Sequence, residues 1–336
     1  MMMAKQIGIG IVGLGGISVI HEAAYQEDPR AKIVALCDTN RGVLEEKAKQ
    51  IPVKTYESYQ DLINDSEVEA IDVCLPHYLH YRVARYAIEH GKNVQLEKPI
   101  TMNYLEAVNL VDFAKEKGVT LSVSENTRFV KSYQEIERIL WSGKLGEIWQ
   151  VRTLIAGSEV ERLSNKSSWI AKKEYGGGIV MDAGVHTFYL FKWLFGGLKS
   201  IHSILWKRIE GTEVEDNAIM YGLLENGSQF QAQLSDTSQS PWTERLEIYG
   251  SNGAIISDQL SDPPLKIYNG SIDSEGEKVA EVEYNPAGWK VISIMEGVHD
   301  FVSAIIDDRA PTVNPSDAAY AVKIAEMAYS NSSMIQ

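Results

Sequence analysis

The chain has 336 residues, 44% apolar and 23% charged, with two cysteines and a formal net charge of −14. That length accommodates two domains with ample core material, and so acidic a balance argues against nucleic acid or anionic membrane as the main partner. Cys37 and Cys74 sit far apart in short apolar runs, which argues against a disulfide framework or a cysteine metal site.

The elements follow in chain order. Ile7–Val12 reads as a buried strand, followed by a glycine-rich turn and a helix over Ile17–Gln26 that Pro29 stops. Lys32–Cys37 is a strand ending at Asp38, and Arg41–Gln50 a helix with Pro52 just beyond. Glu69–Leu75 is an apolar strand running into Pro76. Tyr81–His90 is a helix closed by Gly91. Asn93–Leu96 is a strand that meets Glu97-Lys98-Pro99. Tyr104–Lys117 is a helix closed by Gly118, and Val119–Ser124 the next strand. This alternation predicts an α/β Rossmann domain over residues 1–125.

Residues 126–336 read differently. One helix, Tyr133–Trp141, precedes strand-like runs such as Ile148–Ile155 and Ile201–Ile209. Asn-Gly pairs at 226–227, 252–253 and 269–270 are hairpin signals. Helices over Val291–Ile306 and Ser316–Ser330 close the chain, and Gly270–Lys278 reads as a loop. We expect an α+β domain with an open, mostly antiparallel sheet. It would bind substrate and pair subunits, giving a homodimer or homotetramer. No apolar run is long enough to span a bilayer. The N-terminal stretch lacks the apolar core and cleavage site of a secretory leader, so a cytoplasmic location is expected.

Gly13-Leu14-Gly15-Gly16-Ile17-Ser18 lies between the first strand and the first helix. The first glycine permits a tight turn, the second lets backbone approach a pyrophosphate, and the helix N-terminus offers N–H groups to it. Ser18 stands where Gly or Ala is usual and is small enough to pack close to the sheet. Asp38 ends the next strand, roughly 20 residues beyond the middle glycine, the separation expected of a ribose-binding acid. Its carboxylate would repel a 2′-phosphate. NAD is therefore expected, with NADP as the alternative if Arg41 serves a phosphate.

With those motifs in place, the chain resembles the Gfo/Idh/MocA family of sugar and cyclitol oxidoreductases from Ile7 to about Ser330. Glu97-Lys98-Pro99 looks like that family's Glu-Lys-Pro motif. The resemblance implies that Lys98 stands between nicotinamide and substrate hydroxyl. Gly176-Gly177-Gly178 followed by Asp182-Ala183-Gly184-Val185-His186 looks like its glycine-rich turn and Asp-x-Gly-x-His motif. Asp182 and His186, four apart, share a helix face. Tyr189 replaces an acidic residue common in the family. Cys74-Leu75-Pro76-His77-Tyr78-Leu79-His80 resembles the stretch bordering the nicotinamide, which puts Pro76, His80, Glu97 and Lys98 beside the cofactor. Arg128, at the crossover into the second domain, would bind substrate or pin the domain. Trp169 would stack on a sugar ring or lie buried.

The resemblance implies hydride transfer between nicotinamide and a secondary alcohol of a sugar or cyclitol, without a metal. Lys98 would polarise the reacting oxygen, His186 act as base, and Asp182 orient substrate or histidine. Two alternatives stay open. A lyase or glycosidase-like enzyme with transient oxidation would show no net NADH. A sugar-sensing regulator would need neither Lys98 nor His186.

Overall fold

The computed structural model describes residues 6–270, 277–278, 282, 285 and 288–335, and the chain divides into two compact units. Most of the predicted loop Gly270–Lys278 lies outside the described residues.

The first unit comprises residues up to Asn126 plus Val291–Ala319. Its elements are β1 (Ile7–Val12), α1 (Ser18–Glu27), β2 (Ala31–Cys37), α2 (Arg41–Gln50), β3 (Lys54–Tyr56), α3 (Tyr59–Ile63), β4 (Ala70–Val73), α4 (His77–Glu89), β5 (Asn93–Glu97), α5 (Tyr104–Lys117) and β6 (Leu121–Ser124). The six strands form one parallel sheet in the order β3-β2-β1-β4-β5-β6. Every residue of β1 and β4 is buried, as expected of central parallel strands covered by helices on both faces. The strand order reverses between β1 and β4, the switch point where such sheets bind ligands beyond their carboxyl ends.

The sequence did not announce β3 and α3. β3 is a three-residue edge strand with no buried residue, and α3 has five residues behind its Ser58 cap. Helix α4 starts at His77 rather than Tyr81 because Pro76, extended at φ −57° and ψ 147°, serves as its N-cap.

The second unit holds residues 127–290 and 320–336. It contains α6 (Lys131–Trp141), β7 (Ile148–Ala156), α7 (Val160–Ser164), α8 (Val185–Phe195), β8 (Leu198–Trp206), β9 (Asn217–Leu224), β10 (Gln229–Ser235), β11 (Thr243–Gly250), β12 (Gly253–Asp258), β13 (Leu265–Tyr268), β14 (Glu277–Lys278) and β15 (Ser332–Ile335). They build a nine-stranded sheet, β14-β13-β12-β11-β7-β10-β9-β8-β15. It is mostly antiparallel, with β7–β10 and β8–β15 parallel. Asn226-Gly227 joins β9 to β10, and Asn252-Gly253 joins β11 to β12. Strand β8 ends at Trp206, not Ile209, because Arg208 and Ile209 turn their N–H groups onto the Asp216 carboxylate.

Alternation fixes the two faces of this sheet. Phe230, Ala232 and Leu234 of β10 are buried, while Gln229, Gln231 and Gln233 are exposed. The buried face carries α8, where the Phe191 and Phe230 rings lie 5.2 Å apart. The other face exposes Tyr221 and Leu223.

A single boundary near residue 125 does not describe the chain. Helix α9 (Trp289–Ile306) returns to the first unit. Its Val298, Phe301 and Val302 join Ile7, Ile9 and Leu36 in one buried cluster, and His299 Nε2 lies 3.0 Å from the Ala24 carbonyl. The apolar stripe of α9 was legible, but not which sheet it covers. Phe301 is fully buried. Phe301→Ala should therefore cost about 3–5 kcal/mol, read as a lower urea midpoint for the full chain. An unchanged midpoint would remove α9 from that core.

Candidate functional site

Gly13 closes β1 with φ +92°, and a Cβ there would collide with the Cys74 carbonyl at the end of β4. Side chains rarely adopt that conformation, so glycine is required by the protein itself. Gly15 and Gly16 differ. They are exposed, and beyond their immediate chain neighbours nothing lies within 4 Å of where their Cβ atoms would stand. Nothing in the packing demands glycine at either, so bare backbone there suits the close approach of a ligand. Helix α1 begins at Ile17 and Ser18 with no side-chain cap, so its positive dipole end is open to an anion. Ser18 is fully buried, its hydroxyl donating to the Gly15 carbonyl at 2.8 Å.

Asp38 ties this turn down. Its Oδ2 accepts the Leu14 N–H at 2.9 Å and its Oδ1 the Asn40 N–H at 2.8 Å. Arg41 is largely exposed and pairs with Glu57 at 2.7 Å. These residues fit a dinucleotide whose phosphates face the bare glycines and whose ribose meets Asp38.

Lys98, half-buried, follows the last residue of β5. Its N–H donates to Glu97 Oε2 at 3.2 Å. The other oxygen of Glu97 meets a histidine that sequence reading missed: His21 of α1 is fully buried, with Nδ1 2.8 Å from Asp72 and Nε2 3.1 Å from Glu97. Two carboxylates on one imidazole require two N–H donors, hence a cation. Burial pushes the imidazole down, but the charge of Asp72, with Cys74 and the Asp72 hydrogen bond, overcomes it and raises His21 well above its usual range. Burial likewise opposes ionisation of Glu97, yet His21 holds it below the usual carboxylate range. His21, Asp72 and Cys74 also lie close enough to hold a metal ion, but the cationic reading leaves the imidazole no lone pair for one. No local signal marks His21, because its partners are far along the chain.

Glu97 and His80, expected beside the cofactor, carry contacts inside the protein. His80 is fully buried, with Nδ1 2.7 Å from the Pro99 carbonyl and Nε2 2.7 Å from that of Leu75. Burial lowers its pKa against the pull of those carbonyls. It braces the far side of the Lys98 turn.

In the second unit, Asp182 lies on a π-helical turn, Val180–Gly184, that runs directly into α8. Such turns are frequent at functional sites. Gly178, just before it, has φ +103°, and a Cβ there would stand 2.6 Å from the Glu215 carboxylate. Glu215 accepts the Val180 N–H at 3.0 Å and the Tyr329 hydroxyl at 2.8 Å, which seats the turn. His186, in the first turn of α8, has Nδ1 3.5 Å from the Thr127 hydroxyl. It borders a shallow concavity lined also by Tyr133, Thr153 and Glu244. Arg128 is held at 3.3 Å by Glu137, with its guanidinium 4.0 Å over the Trp193 ring. Those contacts suit a structural pin. Trp169 is partly buried against Leu163 and Ile170.

A six-stranded parallel sheet with a phosphate-type turn, a ribose-type aspartate and a lysine at a strand's carboxyl end defines a dinucleotide-binding enzyme. Comparison with known proteins agrees. Residues 7–125 match the oxidoreductase family with an NAD-binding Rossmann fold, and residues 133–256 match the GFO/IDH/MocA C-terminal domain. The chain belongs to the Gfo/Idh/MocA family and is an NAD-binding oxidoreductase. Myo-inositol 2-dehydrogenase of Thermotoga maritima is 22% identical, across 94% of this chain and 92% of that protein. The WlbA dehydrogenase from Bordetella pertussis, solved with NADH and UDP-GlcNAcA, superposes with a TM-score of 0.89 at 20% identity, covering 97% and 95% of the two chains. Levoglucosan dehydrogenase, solved with NADH and levoglucosan, gives 0.87 at 19% identity, covering 97% of each.

The Asp38 carboxylate should set cofactor preference. Asp38→Ser should narrow the gap between NAD and NADP affinity by about tenfold, or 1.4 kcal/mol, in fluorescence titrations. NADP binding as tightly as NAD in the unmodified protein would contradict this and shift weight to Arg41.

Proposed function

We propose that the protein oxidises a secondary alcohol of a sugar or cyclitol, reversibly, with Lys98, His186 and Asp182 as its working groups. The observation that carries this reading is Lys98 itself. It is an ammonium at the carboxyl end of β5 in an NAD-binding unit, its backbone held by the buried Glu97–His21 pair. Bound NAD supplies the hydride acceptor.

The chain's own groups then divide the remaining work. Lys98 donates a hydrogen bond to the reacting oxygen and stabilises the negative charge that grows there on deprotonation. His186 removes the hydroxyl proton, for which it must start neutral. Asp182, one helical turn away, orients the hydroxyl or the imidazole. A dehydrogenase is favoured over a sensor because both Lys98 and His186 are present. The two relatives whose names state a sugar or cyclitol, levoglucosan dehydrogenase and myo-inositol 2-dehydrogenase, support that substrate class.

Lys98→Met should lower turnover by ~10²–10³-fold and His186→Ala by ~10²–10⁴-fold, each with NAD affinity nearly unchanged. Serving one oxygen, the two losses should combine to less than their product in the double variant. Either single variant turning over normally would strike that residue from the reaction.

We also propose that the outer face of the nine-stranded sheet pairs subunits into a homodimer or homotetramer. Tyr221 and Leu223 are exposed there side by side with Gln231 and Gln229, an apolar pair on a face that a second subunit would cover. Light scattering at micromolar protein should give a multiple of 37.5 kDa, whereas a strictly monomeric mass would contradict the assignment.

A further inference from the structure

Several acidic residues gather around the strand ends of the second unit, and most are satisfied. Asp216 accepts the N–H groups of Arg208 and Ile209 and the side-chain amide of Asn217. Glu159 pairs with Arg162 at 3.0 Å. Glu215 accepts from Val180 and Tyr329. Asp236 differs. It is only 4% exposed, and its carboxyl takes part in no hydrogen bond or ion pair with any described residue. A buried carboxyl left in that condition is costly unless something else meets it.

The backbone directs this carboxyl. Asp236 follows the last residue of β10, its N–H bonded to the Asp216 carbonyl at 2.9 Å and its carbonyl accepting the Glu159 N–H at 2.8 Å. The ends of β7 and β10 and the start of β9 meet here. Leu234, two residues back, faces the π-helical turn, with its Cδ1 3.2 Å from where a Gly184 Cβ would stand. By strand alternation Asp236 points the same way, toward the turn that carries Asp182.

We propose that Asp236 is a substrate-recognition residue, donating a carboxylic-acid hydrogen bond to a hydroxyl oxygen of an uncharged polyol, and that it selects such substrates over sugar acids and sugar phosphates. This rests on the dehydrogenase reading above. One substrate hydroxyl can accept from Asp236 and donate to Asp182, so the two carboxyls form a complementary pair only while Asp236 keeps its proton. Burial pushes Asp236 up, and the charges of Asp182, Glu159 and Asp216 push it further, against the opposing pull of Arg162, to about 8. At neutral pH it is therefore a neutral acid. An anionic substrate would meet the charges of Asp182, Glu159 and Asp216, whereas an uncharged polyol would meet a ready donor.

The test uses the full-length enzyme with NAD and four probes: myo-inositol, glucose, glucuronate and glucose 6-phosphate. For an uncharged probe, KM should rise about tenfold as pH passes 8, because ionisation removes the donor. Asp236→Asn keeps an N–H donor and cannot ionise, so it should abolish that rise. Asp236→Ala should raise KM about tenfold at pH 7 with kcat little changed. NAD titration checks that each variant is folded. A KM unmoved by Asp236→Ala, an unaltered pH profile in Asp236→Asn, or preference for glucuronate or the phosphate would each overturn the proposal. If wild type produces no NADH from any probe, the dehydrogenase reading fails separately. Calorimetric binding to the NADH complex then decides: myo-inositol or glucose must bind and lose about tenfold affinity in Asp236→Ala, and binding of neither overturns the assignment.

Discussion

The buried cation of His21 ties together the parts of the first unit that matter most. It sits on α1 behind the glycine turn, and it holds Asp72 of β4 with one nitrogen and Glu97 at the end of β5 with the other. Glu97 in turn holds the backbone N–H of Lys98. Turn, switch-point strand and lysine therefore share one electrostatic knot. Removing one member of such a buried pair leaves an unpaired charge, a loss of about 3–5 kcal/mol. The folded pKa of His21 is raised above its unfolded value. Its contribution is thus complete below the ordinary imidazole range and fades only as pH rises through the elevated value. The knot stays charged through neutral pH.

The second unit uses buried charge in the opposite way. Glu215 and Asp216 are consumed by N–H and hydroxyl donors that fix the π-helical turn and the end of β8. Asp182 lies on that fixed turn and His186 on the helix it runs into, as the proposed site requires if its groups are to be held in place before substrate arrives. One unit locks a cation between two acids; the other uses backbone donors to hold its buried acids in place.

Much of this was legible because the signals are local. The Gly13–Ser18 turn, Asp38, Glu97-Lys98-Pro99 and the Asp182–His186 pair are each short in sequence and lie on the elements their patterns predicted. What could not be read arises between distant segments. His21 acquires meaning only from Asp72 and Glu97, and Asp236 only from strands that end beside it. Helix α9 shows an apolar stripe in sequence, but its partner sheet lies more than 200 residues earlier. His80 was legible as a site neighbour, but its burial and its two carbonyl contacts, being tertiary facts, were not.

The central claim is net oxidation of a polyol at the expense of NAD. Absorbance at the NADH wavelength, followed with the purified protein across aldoses, cyclitols and sugar phosphates, tests it most directly. Sustained NADH accumulation, stoichiometric with a ketone or lactone product, is the result this account predicts. A substrate consumed without net NADH would indicate transient oxidation instead. Tight sugar binding with neither product nor NADH would indicate a sensor.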